Sequence, residues 1–103
     1  MLHQMKLFES PFKRIKDGTK TIEFRLNDEK RQAINIGDKI EFSLLPELKE
    51  KLVVEVLEIY GAETFYQLFL NLGDSEEKAK KHTEGMYTIY SKDEEEKYGA
   101  WGA

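Results

Sequence analysis

Alternating hydrophobic and polar positions in the first half of the chain predict short β-strands. The clearest alternation covers residues 21–26. Its apolar side chains are expected on the buried face: Ile22, Phe24 and Leu26. Its polar side chains are expected on the exposed face: Thr21, Glu23 and Arg25. Three further segments are predicted as strands: 4–8, 39–44 and 51–59. The last of these is partly apolar on both faces, so we expect it to be well buried.

Helix signals interrupt these strands. Ser10 is expected to cap a helix in which Pro11 takes the first position, because the missing N–H of proline costs nothing there. This helix would run to Asp17 and stop before Gly18. Its apolar residues Phe12 and Ile15 would face inward. Its basic residues would lie in water: Lys13, Arg14 and Lys16. Asn27-Asp28 is expected to cap a single helical turn over residues 29–33, and a turn at Gly37-Asp38 precedes the strand over 39–44.

The second half of the chain is predicted to be mainly helical. Thr64 caps a helix whose apolar residues recur at helical spacing up to Gly73. A charged helix follows from Asp74 or Ser75 to about His82, and Gly85 is expected to break the run. Ser91 and Glu94 form a capping-box pattern for a short acidic helix ending at Tyr98-Gly99. Its acidic run, 93–96, is expected to be a solvated face. Residues 100–103 resemble the start of a strand, so we expect the natural chain to continue beyond Ala103.

Composition narrows the class of protein. The 103 residues suffice for one domain, which we expect to span residues 1–103. Since 40% of the residues are hydrophobic and 35% are charged, we expect a globular protein with a heavily charged surface. No apolar run reaches the length of a membrane span, and the chain has no cysteine. His3 and His82 have no partners at metal-ligand spacing, so neither a metal site nor a cofactor is expected. The sequence predicts a mixed α+β protein of the cytoplasm.

The net charge of −4 hides an asymmetry between the two parts of the chain. Residues 1–39 hold nine basic and six acidic residues, whereas residues 40–103 hold seven and fourteen. The net charge of +3 over residues 1–39 produces only a weak electrostatic field. It therefore favours binding of a small or single-stranded anion over binding of a long nucleic-acid duplex.

The densest polar cluster lies in this basic part, from Asp17 to Arg25. Arg25 could hold a phosphate or a base edge with two hydrogen bonds, and Glu23 could orient it or accept from an amino group. The alternative interpretation is a solvated strand with an ion pair across it, worth less than about 1 kcal/mol. Composition alone favours this alternative.

The chain resembles the ASCH domain family. The resemblance rests on Gly18-x-Lys20-Thr21-x-Glu23-x-Arg25, preceded by Pro11-Phe12-x-x-Ile15 and followed by Ile36-Gly37-Asp38. The segment from Met86 to Gly99 is also similar to the end of small bacterial single-domain members. The resemblance implies a PUA-like small β-barrel with flanking helices over a cleft, in which family members are thought to bind RNA or modified nucleosides.

On this resemblance we expect an RNA- or nucleotide-binding protein. The residues expected at the ligand are Lys20, Thr21, Glu23, Arg25 and Tyr90. The residues expected at the RNA backbone are Lys13, Arg14 and Lys16. If the protein is an enzyme, Lys20 and Glu23 are the catalytic candidates.

Two other functions remain open. One is hydrolysis, either of RNA or of N4-acetylcytidine. In the family branch that hydrolyses N4-acetylcytidine, Lys20 matches the lysine position, but Glu23 stands where that branch has its threonine nucleophile. The other is a protein-interaction module in a regulatory complex.

Overall fold

Six strands and five helices, arranged as two sheets and their covering helices, form the mixed α+β fold expected from the sequence. The computed structural model describes all 103 residues. The strands are β1 (Leu2–Leu7), β2 (Phe24–Leu26), β3 (Lys39–Leu44), β4 (Lys51–Glu55), β5 (Tyr60–Ala62) and β6 (Ala100–Gly102). The helices are α1 (Glu9–Lys16), α2 (Glu29–Gln32), α3 (Phe65–Asn71), α4 (Glu76–Met86) and α5 (Lys92–Tyr98). No helix combines the length and the apolar character needed to cross a membrane.

The chain divides into two compact units. The first unit comprises residues 1–23 and 34–58 together with Ala103, and it contains β1, α1, β3 and β4. Its sheet has the order β1-β3-β4, with β1 parallel and β4 antiparallel to β3. Alternate residues of β1 and β3 are buried with one side of α1, and they form its core: Met5, Leu7, Phe12, Ile40 and Phe42.

The second unit comprises residues 24–33 and 59–102. Its sheet has the order β2-β6-β5, and both neighbours run antiparallel to β6. The middle position of β6 explains why Ala100 and Trp101 are almost fully buried. The core beside this sheet is made by α3 and α4 with parts of β2 and β6: Leu26, Phe65, Leu68, Phe69, Ala79 and Ala100.

The predicted helix ends are mostly confirmed. Asp28, Thr64 and Ser75 each accept a hydrogen bond from a backbone N–H in the first turn of the following helix. The Ser91–Glu94 capping box is present. These predictions are confirmed because each cap depends on residues three positions apart, whose spacing tertiary contacts do not change.

The predicted start of α1 is wrong. The helix begins at Glu9 with Phe8 as its N-cap, and no side chain caps it. The N–H of Phe12 bonds to the carbonyl oxygen of Phe8 at 3.1 Å, so Ser10 and Pro11 lie inside the first turn. Proline is tolerated in the first turn because backbone N–H groups there have no carbonyl partner within the helix, so the missing N–H of Pro11 removes no hydrogen bond. The end of the helix before Gly18, which has φ +84°, is as predicted.

Three other element boundaries differ from the prediction. The strand over 21–26 contracts to β2, and the strand over 51–59 contracts to β4. The predicted burial of the latter is also wrong, because β4 lies at a sheet edge and exposes alternate residues. Helix α4 continues through Gly85 to Met86, since glycine weakens a helix by only about 1 kcal/mol and packing can override it.

The PUA-like barrel is not shown by these hydrogen bonds. The strands pair in two separate three-stranded sheets, one in each unit. The coarser expectation of an α+β fold is confirmed, and the single domain over residues 1–103 stays a prediction.

Candidate functional site

The structure brings together two of the residues predicted for the site, Lys20 and Glu23. The Nζ of Lys20 lies 2.8 Å from Oε1 of Glu23. The Lys20 side chain is 20% exposed and that of Glu23 is 8% exposed. The ammonium is therefore held at the surface by a carboxylate that is itself almost out of contact with water.

The turn after α1 positions Lys20. Its backbone N–H bonds to the carbonyl oxygen of Arg14 at 3.0 Å, and the hydroxyl of Thr19 bonds to the same oxygen and to the carboxylate of Asp17. Gly18 adopts the positive φ that this reversal needs. The direction in which Lys20 leaves the helix is thus set by local hydrogen bonds.

Glu23 is anchored from the other side. Its backbone exchanges two hydrogen bonds with Ala103, at 2.9 and 3.1 Å. The prediction of an exposed Glu23 is wrong, since the residue is 6% exposed. The alternation of polarity was misleading here because it separates two faces of the chain but does not show that the polar face meets water: Glu23 is buried and Arg25 is half-buried. The ion pair between Lys20 and Glu23 is local and largely buried, not solvated.

The other residues expected at the ligand occupy different places. Thr21 is exposed in the segment before β2. Arg25 is half-buried in β2, opposite Trp101 in the register with β6. Tyr90 stacks on Phe65, with ring centroids 6.0 Å apart and planes inclined by 14°. One face of the Tyr90 ring is therefore covered by the core of its unit.

The basic residues of α1 lie in water, as predicted. Two of them are paired with glutamates: Lys13 lies 2.7 Å from Glu9, and Lys16 lies 2.9 Å from Glu50. Because both pairs are exposed, solvent and salt screen them and an incoming phosphate can compete for the cations.

A buried carboxylate in the second unit was not predicted. Glu95 belongs to the acidic run of α5, but it is only 5% exposed. Its Oε2 accepts a hydrogen bond from the backbone N–H of Phe65 at 2.8 Å, and its Oε1 accepts one from the hydroxyl of Tyr87 at 2.6 Å. The bond to Glu95, with burial and the charge of the carboxylate, raises the pKa of Tyr87 to about 12.

A helical-face argument could have identified Glu95. It lies three residues before the half-buried Tyr98, so the two share one side of α5. The acidic character of residues 93–96 does not by itself show which side of the helix is buried.

Glu95 lines a cavity of about 670 Å³. The lining comes from the β5–α3 connection and from α5: Ala62, Glu63, Thr64, Lys92, Glu95, Glu96, Lys97, Tyr98 and Gly99. The mixture of lysines and glutamates leaves the lining without a strong charge of either sign. Both carboxylate oxygens of Glu95 already have protein partners, so Glu95 acts as a brace for Phe65 and Tyr87.

Each histidine is paired with an aspartate. His3 Nε2 lies 2.8 Å from Asp38 Oδ2, and His82 Nδ1 lies 2.8 Å from Asp74 Oδ2. The hydrogen bonds from His3, from the backbone N–H of Asn35 and from the N-terminal ammonium lower the pKa of Asp38 to about 2. The structure contains no group of three or more His, Cys, Asp or Glu side chains that could hold a metal ion.

Comparison with known proteins connects this geometry to a family. The family model of the ASCH domain matches residues 5–101. The chain is similar to hypothetical protein PH0355, whose crystal structure has 31% identity and a TM-score of 0.84 over 99% of this chain and 94% of that one. It is also similar to protein PF0455 from Pyrococcus furiosus, whose solution NMR structure has 31% identity and a TM-score of 0.71 over 99% of this chain and 93% of that one. Among curated proteins, none matches.

Proposed function

Since the chain belongs to the ASCH domain family, we propose that it binds RNA or a nucleotide-sized ligand at the surface around Lys20. The observation that carries this proposal is the 2.8 Å contact between Lys20 and the almost buried Glu23. A cation held in place by a desolvated carboxylate loses little side-chain entropy when it meets an anion. Assignment to the PUA-like superfamily is part of the same proposal.

Each proposed contact has a chemical role. In the first unit, Lys20 donates to a phosphate or to a base carbonyl. In the second unit, Arg25 donates through its planar guanidinium to two acceptors at once. Glu23 keeps Lys20 oriented, and Thr21 offers an exposed hydroxyl. Tyr90 stacks a base on the ring face that Phe65 does not cover.

The basic side of α1 would meet the phosphate backbone. Lys13 and Lys16 would exchange their exposed glutamate partners for phosphates, and Arg14 would join them. The net surplus of charge in this part of the chain is small, so the proposal favours a short single strand or a mononucleotide.

A titration of the full chain with mononucleosides, mononucleotides and short single-stranded RNAs tests this proposal. We expect NMR shifts confined mainly to residues 13–25. Arg25→Ala should weaken binding about tenfold and flatten its salt dependence. Lys80→Ala, which removes an exposed charge from α4, is the matched control and should leave the affinity within about twofold. Unchanged affinity in Arg25→Ala, or shifts spread over residues 74–98 and not limited there to the surroundings of Tyr90, would remove this surface from the proposal.

Hydrolysis is the second candidate, because the Lys20–Glu23 contact places a cation beside a carboxylate. Incubation with N4-acetylcytidine and with labelled RNA separates it from simple binding. Product that disappears in Lys20→Ala would establish an enzyme, whereas product that persists would point to a contaminant. Absence of both binding and turnover would favour a protein-interaction module.

A further inference from the structure

The open edge of the first unit's sheet lies along β4. This strand has one neighbour, β3, and its outer side pairs with no other strand. Backbone bonds at both ends of the ladder show which residues turn inward: Leu44 N–H bonds to the Glu50 carbonyl at 2.9 Å, and Val56 exchanges bonds of 2.8 Å with Gly37 and Asp38. Because backbone groups alternate in direction along an antiparallel strand, Leu52 and Val54 also turn toward β3.

The remaining residues of β4 turn their backbone N–H and C=O groups to the open edge: Lys51, Val53 and Glu55. All three are exposed, and Val53 is 51% exposed although it is apolar. Their side chains share the solvent face of the sheet, while those of Leu52 and Val54 are half-buried on the other face. An edge of this kind is a template for another strand.

The edge is complementary to itself. If a second β4 runs antiparallel with the two-fold axis at Val53, residue 51 of each copy faces residue 55 of the other. Lys51 then lies opposite Glu55 of the partner subunit, on the same face of the combined sheet. The residues with outward-turned backbone groups then face each other in three pairs (51 with 55, 53 with 53 and 55 with 51), and two hydrogen bonds in each pair give about six.

We propose that β4 pairs with β4 of a second copy of this chain, joining two three-stranded sheets into one across a two-fold axis. Such an isologous contact needs a surface that complements itself, and the order Lys51, Val53, Glu55 has this property. Opposite charges directly across an antiparallel pair stabilise it, and like charges destabilise it.

Two other symmetric registers fit less well. An axis at Lys51 or at Glu55 would place like charges opposite each other and would overlap only part of the strand. Lys51 also lies 3.6 Å from Glu41 within its own sheet. That contact is longer than an ideal charged hydrogen bond, so the ammonium keeps donors for a second carboxylate.

The contact is short, which sets the expected strength. A five-residue edge buries less surface than a standard interface of about 1,600 Å², so we expect a concentration-dependent dimer with a dissociation constant in roughly the micromolar range.

Sedimentation equilibrium from about 1 μM to about 1 mM tests the proposal with two single variants. Lys51→Glu makes the edge acidic, and Glu55→Lys makes it basic. Each variant alone should raise the dimer dissociation constant about tenfold, because two attractive pairs become repulsive. Mixed in equal amounts, the two variants should form a heterodimer about as stable as the wild-type dimer. A wild-type protein that stays monomeric over this range, or a mixture that associates no better than each variant alone, would overturn the proposal.

A backbone variant tests the edge without changing charge. Val53→Pro removes only an outward N–H, which an edge strand tolerates, and it should abolish the dimer while the circular dichroism spectrum is unchanged. Gln4→Pro is the control at the opposite edge, where the bond from Lys39 N–H to the Met1 carbonyl indicates that Gln4 turns its N–H outward. It should leave the dimer intact. A folded Val53→Pro that still dimerises would overturn the proposal. A Val53→Pro that is unfolded leaves the decision to the charge variants.

Discussion

The brace formed by Glu95 makes a quantitative prediction about stability. Tyr87→Phe removes the 2.6 Å bond to the carboxylate and leaves the ring in place. A hydrogen bond to a charged group contributes about 1.5–3 kcal/mol, and because Tyr87 is only half-buried we expect a loss of about 1.5 kcal/mol. Glu95→Ala also leaves the buried N–H of Phe65 without its acceptor, so we expect a loss of about 3–5 kcal/mol.

Urea unfolding measures both losses. Trp101 is the single tryptophan and is buried in β6, so its fluorescence reports on the unit that contains Glu95. Tyr87→Phe in the Glu95→Ala background should cost less than about 0.5 kcal/mol, because the bond is already absent. Tyr66→Phe is the control, since it removes a hydroxyl from the same unit but not from this contact.

The pH dependence of the same variant follows from the raised pKa of Tyr87. The folded form releases the hydroxyl proton near pH 12 and the unfolded form near pH 10, so the unfolded state binds fewer protons between these values. The stabilisation is complete below about pH 10 and is lost as the pH rises toward about 12. A Tyr87→Phe cost that is the same with and without Glu95, or that stays constant up to pH 12, would refute this account.

Three further predictions concern other parts of the chain. Gly99→Ala should destabilise the protein by about 2 kcal/mol or more, because Gly99 has φ +78° and an added Cβ would lie 2.9 Å from a backbone oxygen. Gly85→Ala should instead stabilise it by about 0.5–1 kcal/mol, because the added Cβ on α4 would meet open space. Thermal unfolding of the two variants checks this contrast. Asp38→Asn should lower the melting temperature at pH 6, and the difference from wild type should shrink as the pH falls from about 4 to about 2, because a lowered carboxyl pKa stabilises only while the group is ionised; a constant difference would contradict this. Lys20→Met should cost about 1–3 kcal/mol by removing the ammonium that lies 2.8 Å from the buried carboxylate of Glu23, and the double variant with Glu23→Gln should cost less than the sum, as a double-mutant cycle measures.

Features that depend on neighbouring residues were predictable from the sequence. The caps at Asp28, Thr64 and Ser91 and the stop at Gly18 depend on backbone conformation and on side chains up to three residues apart. The motif from Gly18 to Arg25, together with its flanking segments and the segment from Met86 to Gly99, indicated the family. The same local character explains why Lys13, Arg14 and Lys16 were correctly placed in water.

Burial of charged side chains was not predictable in this way. Glu23 and Glu95 both lie in strongly polar segments, yet both are among the buried residues. Their burial depends on partners that come from the fold: Ala103 pairs with the backbone of Glu23, and Phe65 donates to the carboxylate of Glu95 from thirty residues away. A carboxylate is buried only where such donors replace water, and no local pattern of polarity records them.

Tertiary structure also decided the lengths and neighbours of the strands. The apolar run over 51–59 indicates a strand, but which residues pair depends on where β3 lies, and the pairing ends at Glu55. Strand pairing joins distant segments of the chain, so β6 lies between two strands that precede it by some forty and seventy-five residues. By itself the sequence determined most of the helix caps, the family and the basic surface of α1, because these follow from local hydrogen bonding and residue type. Only the tertiary structure decided which charges are buried and which strand edge is open, because both depend on contacts between residues far apart in the chain.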